Sequence, residues 1–211
     1  MKNTVELIGY YGSDETHAQS AWTSTTRDIE SKRDRIPALL KMLAENGHHT
    51  PFEKSTLHFL CRVDTATHIQ MIKHRVGVSI NGESARYKQL KEPTCLIPDD
   101  WPPALQTRLL VEFGLAVENY NTFVEELVAS GIDRKRAKES ARFVLPYANQ
   151  LTLDTSFNFR SFVHFIGLRN KPDAQLEIRE VAQKMLQLVK EIDGNPFAHT
   201  LAAFDLNETQ P

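Results

Sequence analysis

Between Ser55 and Val63 the residues Leu57, Phe59, Cys61 and Val63 occupy every second position. A period of two places all four on one face of an extended chain, which predicts a half-buried strand. Asp64 follows directly and can cap a helix over Thr65–Lys73, with Ile69 and Ile72 on its apolar side and Gln70 and His74 sharing a face four residues apart. Upstream, Val5–Tyr10 predicts a first strand, Ala18–Ser24 a short helix running into a hydroxyl-rich loop, and Ile36, Leu39, Leu40 and Leu43 a helix that starts near Pro37 and stops at Gly47. Downstream, Leu105, Leu109, Phe113, Val117, Tyr120, Phe123 and Leu127 recur every three to four residues before Gly131, the stripe of a long helix that meets a core or a second subunit. Asp133 can cap another helix that ends at Leu145-Pro146, and Gln150–Thr155 predicts a strand. Asn158 can cap a helix with Phe162, Phe165 and Ile166 that ends near Arg169. Asp173 can cap a last one with Ile178, Val181, Met185, Leu188 and Ile192, ahead of a polar tail from about residue 205. No internal repeat breaks this order. The expected fold is a single α+β domain over residues 1–211, with a central, mainly antiparallel sheet flanked by long helices.

Several function classes are excluded by what the chain lacks. A formal net charge of −2 provides no field that would recruit nucleic acid or a membrane surface, so any basic site must be local. No run approaches the roughly 18 apolar residues of a membrane span. Cys61 and Cys95 stand alone in an apolar alternation and a proline-bounded loop, as reduced thiols of a soluble cytoplasmic protein would. The neighbours His48 and His49 point in different directions and Pro51 opposes a helix that would align His49 with Glu53, so no metal site is expected. There is no Gly-x-Ser-x-Gly elbow, no Gly-x-x-x-x-Gly-Lys loop and no His-Glu-x-x-His.

The stretch Lys73–Lys88 instead holds a polar binding inventory: Lys73, His74, Arg75, Ser79, Asn81, Glu83, Ser84, Arg86, Tyr87 and Lys88, with Gly77 and Gly82 where backbone can approach a neighbour closely. Guanidinium forks match phosphates and carboxylates through paired hydrogen bonds, which points to an anionic, ring-bearing ligand. Ser84 has no general base at a recognisable spacing and is read as an anchor, not a nucleophile. Further along, Arg142, Asn158, Arg160 and Arg169 extend the same chemistry, joined by His48, Thr50 and Gln70.

These residues resemble a known family. His74-Arg75 followed by Ser79-x-Asn81-x-x-Ser84-x-Arg86-Tyr87 is similar to the signature of the flavin-dependent thymidylate synthases. Gly47-His48-x-Thr50-Pro51-Phe52-Glu53 resembles the family's flavin-contacting turn. Arg142-x-Val144-Leu145-Pro146, Asn158-x-Arg160-Ser161 and Leu168-Arg169, with Ala174-Gln175-x-Glu177-Ile178, resemble its C-terminal blocks. The resemblance covers roughly residues 20 to 180. It implies a homotetramer with shared active sites that converts dUMP to dTMP, with FAD as cofactor, NADPH as reductant and methylenetetrahydrofolate as carbon donor. It assigns Ser24, His48, Thr50, Lys73, His74, Arg75, Asn158, Arg160 and His164 to FAD. Gln70, Glu83, Ser84, Arg86, Arg142 and Arg169 fall to dUMP, with Arg169 catalytic. The chain departs from the pattern at Lys73, which stands where the family has an arginine, and by one added residue between Arg75 and Ser84, which leaves Gly82 or Glu83 at the acidic position. His164 and Asp173 replace an amide and a histidine.

In physical terms, a flavin delivers hydride only when held against the uracil, so the protein's task is largely positioning. A fixed guanidinium beside the ring carbonyl would stabilise charge accumulating on the uracil, the role expected of Arg169. Two other readings remain: a relative that binds flavin or nucleotide without turnover, and a nucleic-acid-binding module built on Lys73–Lys88, which the acidic balance and the single aromatic Tyr87 oppose.

Overall fold

The computed structural model describes residues 1–25, 30–84 and 93–207. Its strands are β1 (Thr4–Tyr11), β2 (Thr56–Asp64), β3 (Val78–Gly82) and β4 (Gln150–Asn158), hydrogen-bonded in the order β1-β2-β4-β3. The edge pairing of β3 with β4 is antiparallel: Glu83 donates to the Thr152 carbonyl at 2.7 Å, while Asn158 donates to the Gly77 carbonyl at 3.0 Å. The helices are α1 (Asp14–Trp22), α2 (Ile36–Glu45), α3 (Thr65–Met71), α4 (Pro103–Ala129), α5 (Arg134–Ala141), α6 (Phe159–Arg169), α7 (Leu176–Lys190) and α8 (Ala198–Ala203). The α+β class and the antiparallel sheet expected from the sequence are therefore present.

The chain divides into two compact units. One comprises Met1–Thr4, Cys61–Met71 and Asn81–Leu153, the other Val5–Leu60, Ile72–Ile80 and Asp154–Pro211. The alternation of β2 is realised in full, since Leu57, Phe59, Cys61 and Val63 are all completely buried. Leu57 and Phe59 join the core of the second unit, where Phe59 stacks on Phe162 at 5.9 Å, Phe157 meets Phe165 at 5.3 Å and Phe159 meets Phe197 at 5.0 Å. Each such ring pair adds about 0.5–1.5 kcal/mol beyond its area burial. In the first unit Tyr120, Val124 and Ala141 form a small cluster with Leu145 against it. Only Phe113, Tyr120 and Val124 of α4 are buried; within the predicted stripe Leu105 and Phe123 are exposed and Leu109, Val117 and Leu127 half-buried, while Leu110, Val111 and Leu115, outside the stripe, are exposed in the single chain.

Local capping explains most boundaries. Ser13 and Thr16 form a reciprocal capping box at α1. Asp133 accepts from the Lys135 and Arg136 N–H groups at α5, and Asn158 from Ser161 N–H at 2.8 Å at α6.

Three expectations need correction. The Asp64 cap is present, its Oδ1 accepting from Thr67 N–H at 2.9 Å, but α3 ends at Met71, so Gln70 and His74 do not share a helical face. Tertiary contacts override propensity here: His74 is tied to Arg169, and Ser161 holds the Val76 carbonyl. The buried side of α3 carries Thr67 and Met71, while Ile72 is exposed. The segment after Gly77, for which the sequence predicts no element, is strand β3, because Val78–Gly82 finds the open edge of β4. Asp173 caps nothing: the turn closed by Ala174 N–H on the Lys171 carbonyl encloses it, and α7 starts at Leu176 without a side-chain cap. Within the described part of the polar tail, Leu206 is buried and its N–H donates to the Leu201 carbonyl.

Candidate functional site

In the second unit α6 organises a polar cluster. Its last residue, Arg169, donates from Nε to Nε2 of His74 at 3.0 Å. The His74 ring is buried, with Phe165 at 4.9 Å and 72° and His164 at 6.0 Å and 64°. Burial first, then the charges of Arg169 and His164, lower the His74 pKa from 6.5 to about 4, so the ring is neutral at pH 7. At the other end of α6, Ser161 Oγ donates to the Val76 carbonyl at 2.7 Å, and Gly77 (φ +64) lies so close that a Cβ there would come within 2.3 Å of Asn158 Nδ2 and of Ser161 Oγ. The sequence hint that Gly77 marks a close approach is met, whereas a Cβ on Gly82 would make only ordinary contacts at 3.8 Å or more.

Arg160, on the first turn of α6, pairs with Glu53 at 2.5 Å, and Glu53 belongs to the 3-10 turn Thr50–Lys54 that also carries Thr50. This pair links the expected flavin turn to the Asn158-x-Arg160-Ser161 block. His48, Thr50, Lys73, Arg75, Arg160 and His164 are exposed, a set of cations, imidazoles and a hydroxyl suited to an anionic group such as a diphosphate. Ser24 is exposed as well, its Oγ turned onto the Ala21 carbonyl at 3.3 Å.

The first unit holds a cavity of about 260 Å³ lined by Thr65, Glu83, Arg142, Phe143, Leu145, Pro146, Asn149 and Leu151. It brings Glu83 and Arg142 together from segments far apart in sequence, and it bears on the acidic position: Glu83 lines the cavity and Gly82 does not. Sequence reasoning missed Asn149. Its side chain is buried, and its Oδ1 has no hydrogen-bond partner among the described residues, a costly state unless a ligand or water reaches the amide. Its carbonyl accepts from both the N–H and the Oγ1 of Thr65 at 3.0 Å, which fixes one wall of the cavity. Gln70 and Ser84 are half-buried in the same unit, and Arg86 lies outside the described residues, as does Tyr87.

The expected groups therefore sort cleanly. Every residue assigned to FAD lies in the second unit, and every described residue assigned to dUMP lies in the first, except Arg169.

A second feature had no signal in the sequence. His17 is completely buried, its Nδ1 2.9 Å from Thr200 Oγ1 and its Nε2 2.8 Å from Ser55 Oγ. Thr200 Oγ1 in turn donates to Asp14 Oδ1 at 2.6 Å, and Asp14 also accepts from the His199 and Thr200 N–H groups. Because the Thr200 hydroxyl already donates to Asp14, Nδ1–H of His17 donates to Thr200 Oγ1 and Nε2 accepts from Ser55. Burial lowers the His17 pKa to about 4, and this chain fixes α8 to the start of α1. Among the described residues no group of His, Cys, Asp and Glu could hold a metal, and no helix is long and apolar enough to cross a membrane.

With this geometry in hand, comparison with known proteins is specific. The model of the family described as "Thymidylate synthase complementing protein" matches residues 6–193. The flavin-dependent thymidylate synthase of Pseudothermotoga lettingae is 33% identical over 194 residues, spanning 89% of this chain and 85% of its own. That of Streptomyces avermitilis is 30% identical over 212 residues, spanning 86% and 84%. Among solved structures, the UMP/dUMP methylase PolB of Streptomyces cacaoi bound with 5-Br dUMP superposes with a TM-score of 0.74 at 26% identity, over 97% of this chain and 95% of that one. Its form bound with 5-Br UMP gives 0.71 at 27% identity.

Proposed function

The chain belongs to the flavin-dependent thymidylate synthase family, and from that premise we propose that it methylates dUMP to dTMP with FAD as cofactor. Methylenetetrahydrofolate is the carbon donor and NADPH the reductant, so that tetrahydrofolate and NADP⁺ leave with dTMP. The observation that carries this reading is the cavity that brings Arg142, Glu83 and Asn149 together. A pyrimidine nucleotide offers an anion for Arg142 and a polar ring for the remaining wall, a combination such a lining suits.

When bound, FAD supplies the hydride that completes the methyl group. The protein's own contribution is positional. His48, Thr50, Lys73, Arg75, Asn158, Arg160 and His164, with Ser24, are assigned to hold FAD, and the exposed cations among them suit its diphosphate. Lys73 offers a point charge where an arginine would offer a fork, so it anchors without imposing orientation. Gln70, Glu83, Ser84, Arg86 and Arg142 are assigned to dUMP, with Arg142 neutralising the anion. Arg169, fixed through its Nε by His74, is assigned to the uracil carbonyl, where a preorganised cation stabilises developing charge without reorganising. We read residues 1–211 as one domain, since β2 and β4 each contribute residues to both units, and the assembly as a cytoplasmic homotetramer, a use that suits the exposed apolar residues of α4. No role in nucleic-acid or membrane binding is assigned.

The test is release of tritium from carbon 5 of labelled dUMP by purified protein. Release that requires FAD, NADPH and methylenetetrahydrofolate is expected; protein that binds FAD and dUMP but releases no tritium is a non-catalytic relative, and protein that binds neither overturns the reading. The solved neighbours are UMP/dUMP methylases, which favours running UMP beside dUMP as a second substrate.

A further inference from the structure

We propose that His74 is a positioning residue for Arg169: its Nε2 accepts the in-plane Nε–H and so fixes the plane of the guanidinium that meets the nucleotide. This rests on the function proposed above and changes the part expected of His74, from a direct flavin contact to a support acting through an arginine. Three observations carry it. The hydrogen bond is 3.0 Å long and runs between two partly buried groups 95 residues apart in sequence. An arginine has no acceptor nitrogen, so the contact requires a lone pair on Nε2 and places the histidine proton on Nδ1. The ring has little freedom to turn, because Phe165 and His164 meet it edge-on from the same helix.

The backbone is braced to match. Ser161 Oγ holds the Val76 carbonyl, and Asn158 N–H holds that of Gly77, both on the first turn of α6, while His74 meets the last turn through Arg169. The four residues His74–Gly77 therefore lie along a helix of about 16 Å and are fixed at both its ends. The charged and titratable groups around the ring are His164 and Arg169 on α6 and the exposed Lys73 and Arg75 beside it in sequence. Burial first, then the charges of Arg169 and His164, disfavour a second proton on His74 and preserve its acceptor.

The test is a double-mutant cycle read in two ways. In His74→Phe the ring packing against Phe165 is retained and the acceptor is lost; in His74→Gln an amide oxygen replaces Nε2 at nearly the same reach. Binding of dUMP to flavin-free protein, measured by calorimetry, is expected to weaken about tenfold in His74→Phe, the size of one lost charge-assisted hydrogen bond, and to recover to within about threefold in His74→Gln. In an Arg169→Ala background, His74→Phe is expected to have no further effect. A full His74→Phe effect without Arg169, or a Gln variant as weak as the Phe variant, overturns the proposal. Urea unfolding of the same proteins without ligand separates the two ideas. Non-additive midpoints with no dUMP binding by the wild type leave the His74–Arg169 support standing and reject the function. Additive midpoints alongside normal dUMP binding reject the support alone.

Discussion

Replacing Gly77 by alanine tests whether the first turn of α6 depends on a close backbone approach. Gly77 has φ +64, and a Cβ there would sit 2.3 Å from both Asn158 Nδ2 and Ser161 Oγ, far inside contact distance. Left-handed backbone costs a non-glycine residue about 1–2 kcal/mol. Moving Asn158 aside removes the helix cap, about 1 kcal/mol, and moving Ser161 removes its bond to Val76, about another 1 kcal/mol. The total loss is about 3–4 kcal/mol. Gly194 provides the control, because its φ is +70 and an added Cβ would meet nothing within 4 Å, so Gly194→Ala carries the backbone strain alone. Urea unfolding is expected to place Gly77→Ala about 2 kcal/mol below Gly194→Ala at an unchanged slope. Because α6 carries Arg160, His164 and Arg169 and is capped by Asn158, FAD content and dUMP affinity should fall together in Gly77→Ala and hold in Gly194→Ala. Equal stability of the two variants would refute the reasoning, since it would mean the joint accepts a methyl group without losing its cap.

His17 predicts the pH dependence of stability. Its folded pKa of about 4 lies below the ordinary 6.5, so the unfolded chain binds the proton more readily; the stabilisation is complete above pH 6.5 and is lost as pH falls toward 4. Between pH 7 and 4.5 this amounts to about 2–3 kcal/mol, and unfolding midpoints should show a shallower acid limb in His17→Gln, with the remainder carried by His74. Arg142→Ala should weaken dUMP binding by about tenfold or more while leaving FAD content unchanged, measurable by titration and by flavin absorbance. Cys61 is completely buried with its thiol pKa pushed up to about 12, and burial also raises that of Cys95, so thiol reagents at pH 8 should label neither in native protein and both in denaturant.

What could be read from the residues alone followed a physical divide. Periodicity located β2 and its buried face, and the side-chain caps Asp133 and Asn158 located the starts of α5 and α6, because both signals are local, whereas α1 starts at Asp14, four residues before the helix expected from Ala18. Where the deciding contact lay far away in sequence, local reading went astray. The end of α3 is set by Arg169 and Ser161, some ninety residues on, and strand β3 exists because β4 offers an edge. The chain Asp14–Thr200–His17–Ser55 joins both ends of the sequence, and no spacing could have announced it. Motif resemblance reached the polar residues but not their partners, so Glu53 beside Arg160 and Asn149 beside Arg142 emerge only from the fold.

The sorting of residues between the two units gives Arg169 a particular standing. By motif it belongs to the nucleotide, yet it shares a unit with every residue assigned to FAD and is bonded to one of them. A residue that served dUMP through charge alone could be replaced by lysine at modest cost. The Nε–H bond to His74 argues otherwise, because lysine has no in-plane donor behind its charge and would lose the support while keeping the cation. If orientation is the larger part, Arg169→Lys should lower kcat and weaken dUMP binding about as much as Arg169→Ala does. If charge is the larger part, the lysine protein should recover most of the turnover. Arg142, which lines its cavity as an exposed cation, should show the second pattern, and the contrast between the two arginines would separate holding the substrate from directing the reaction.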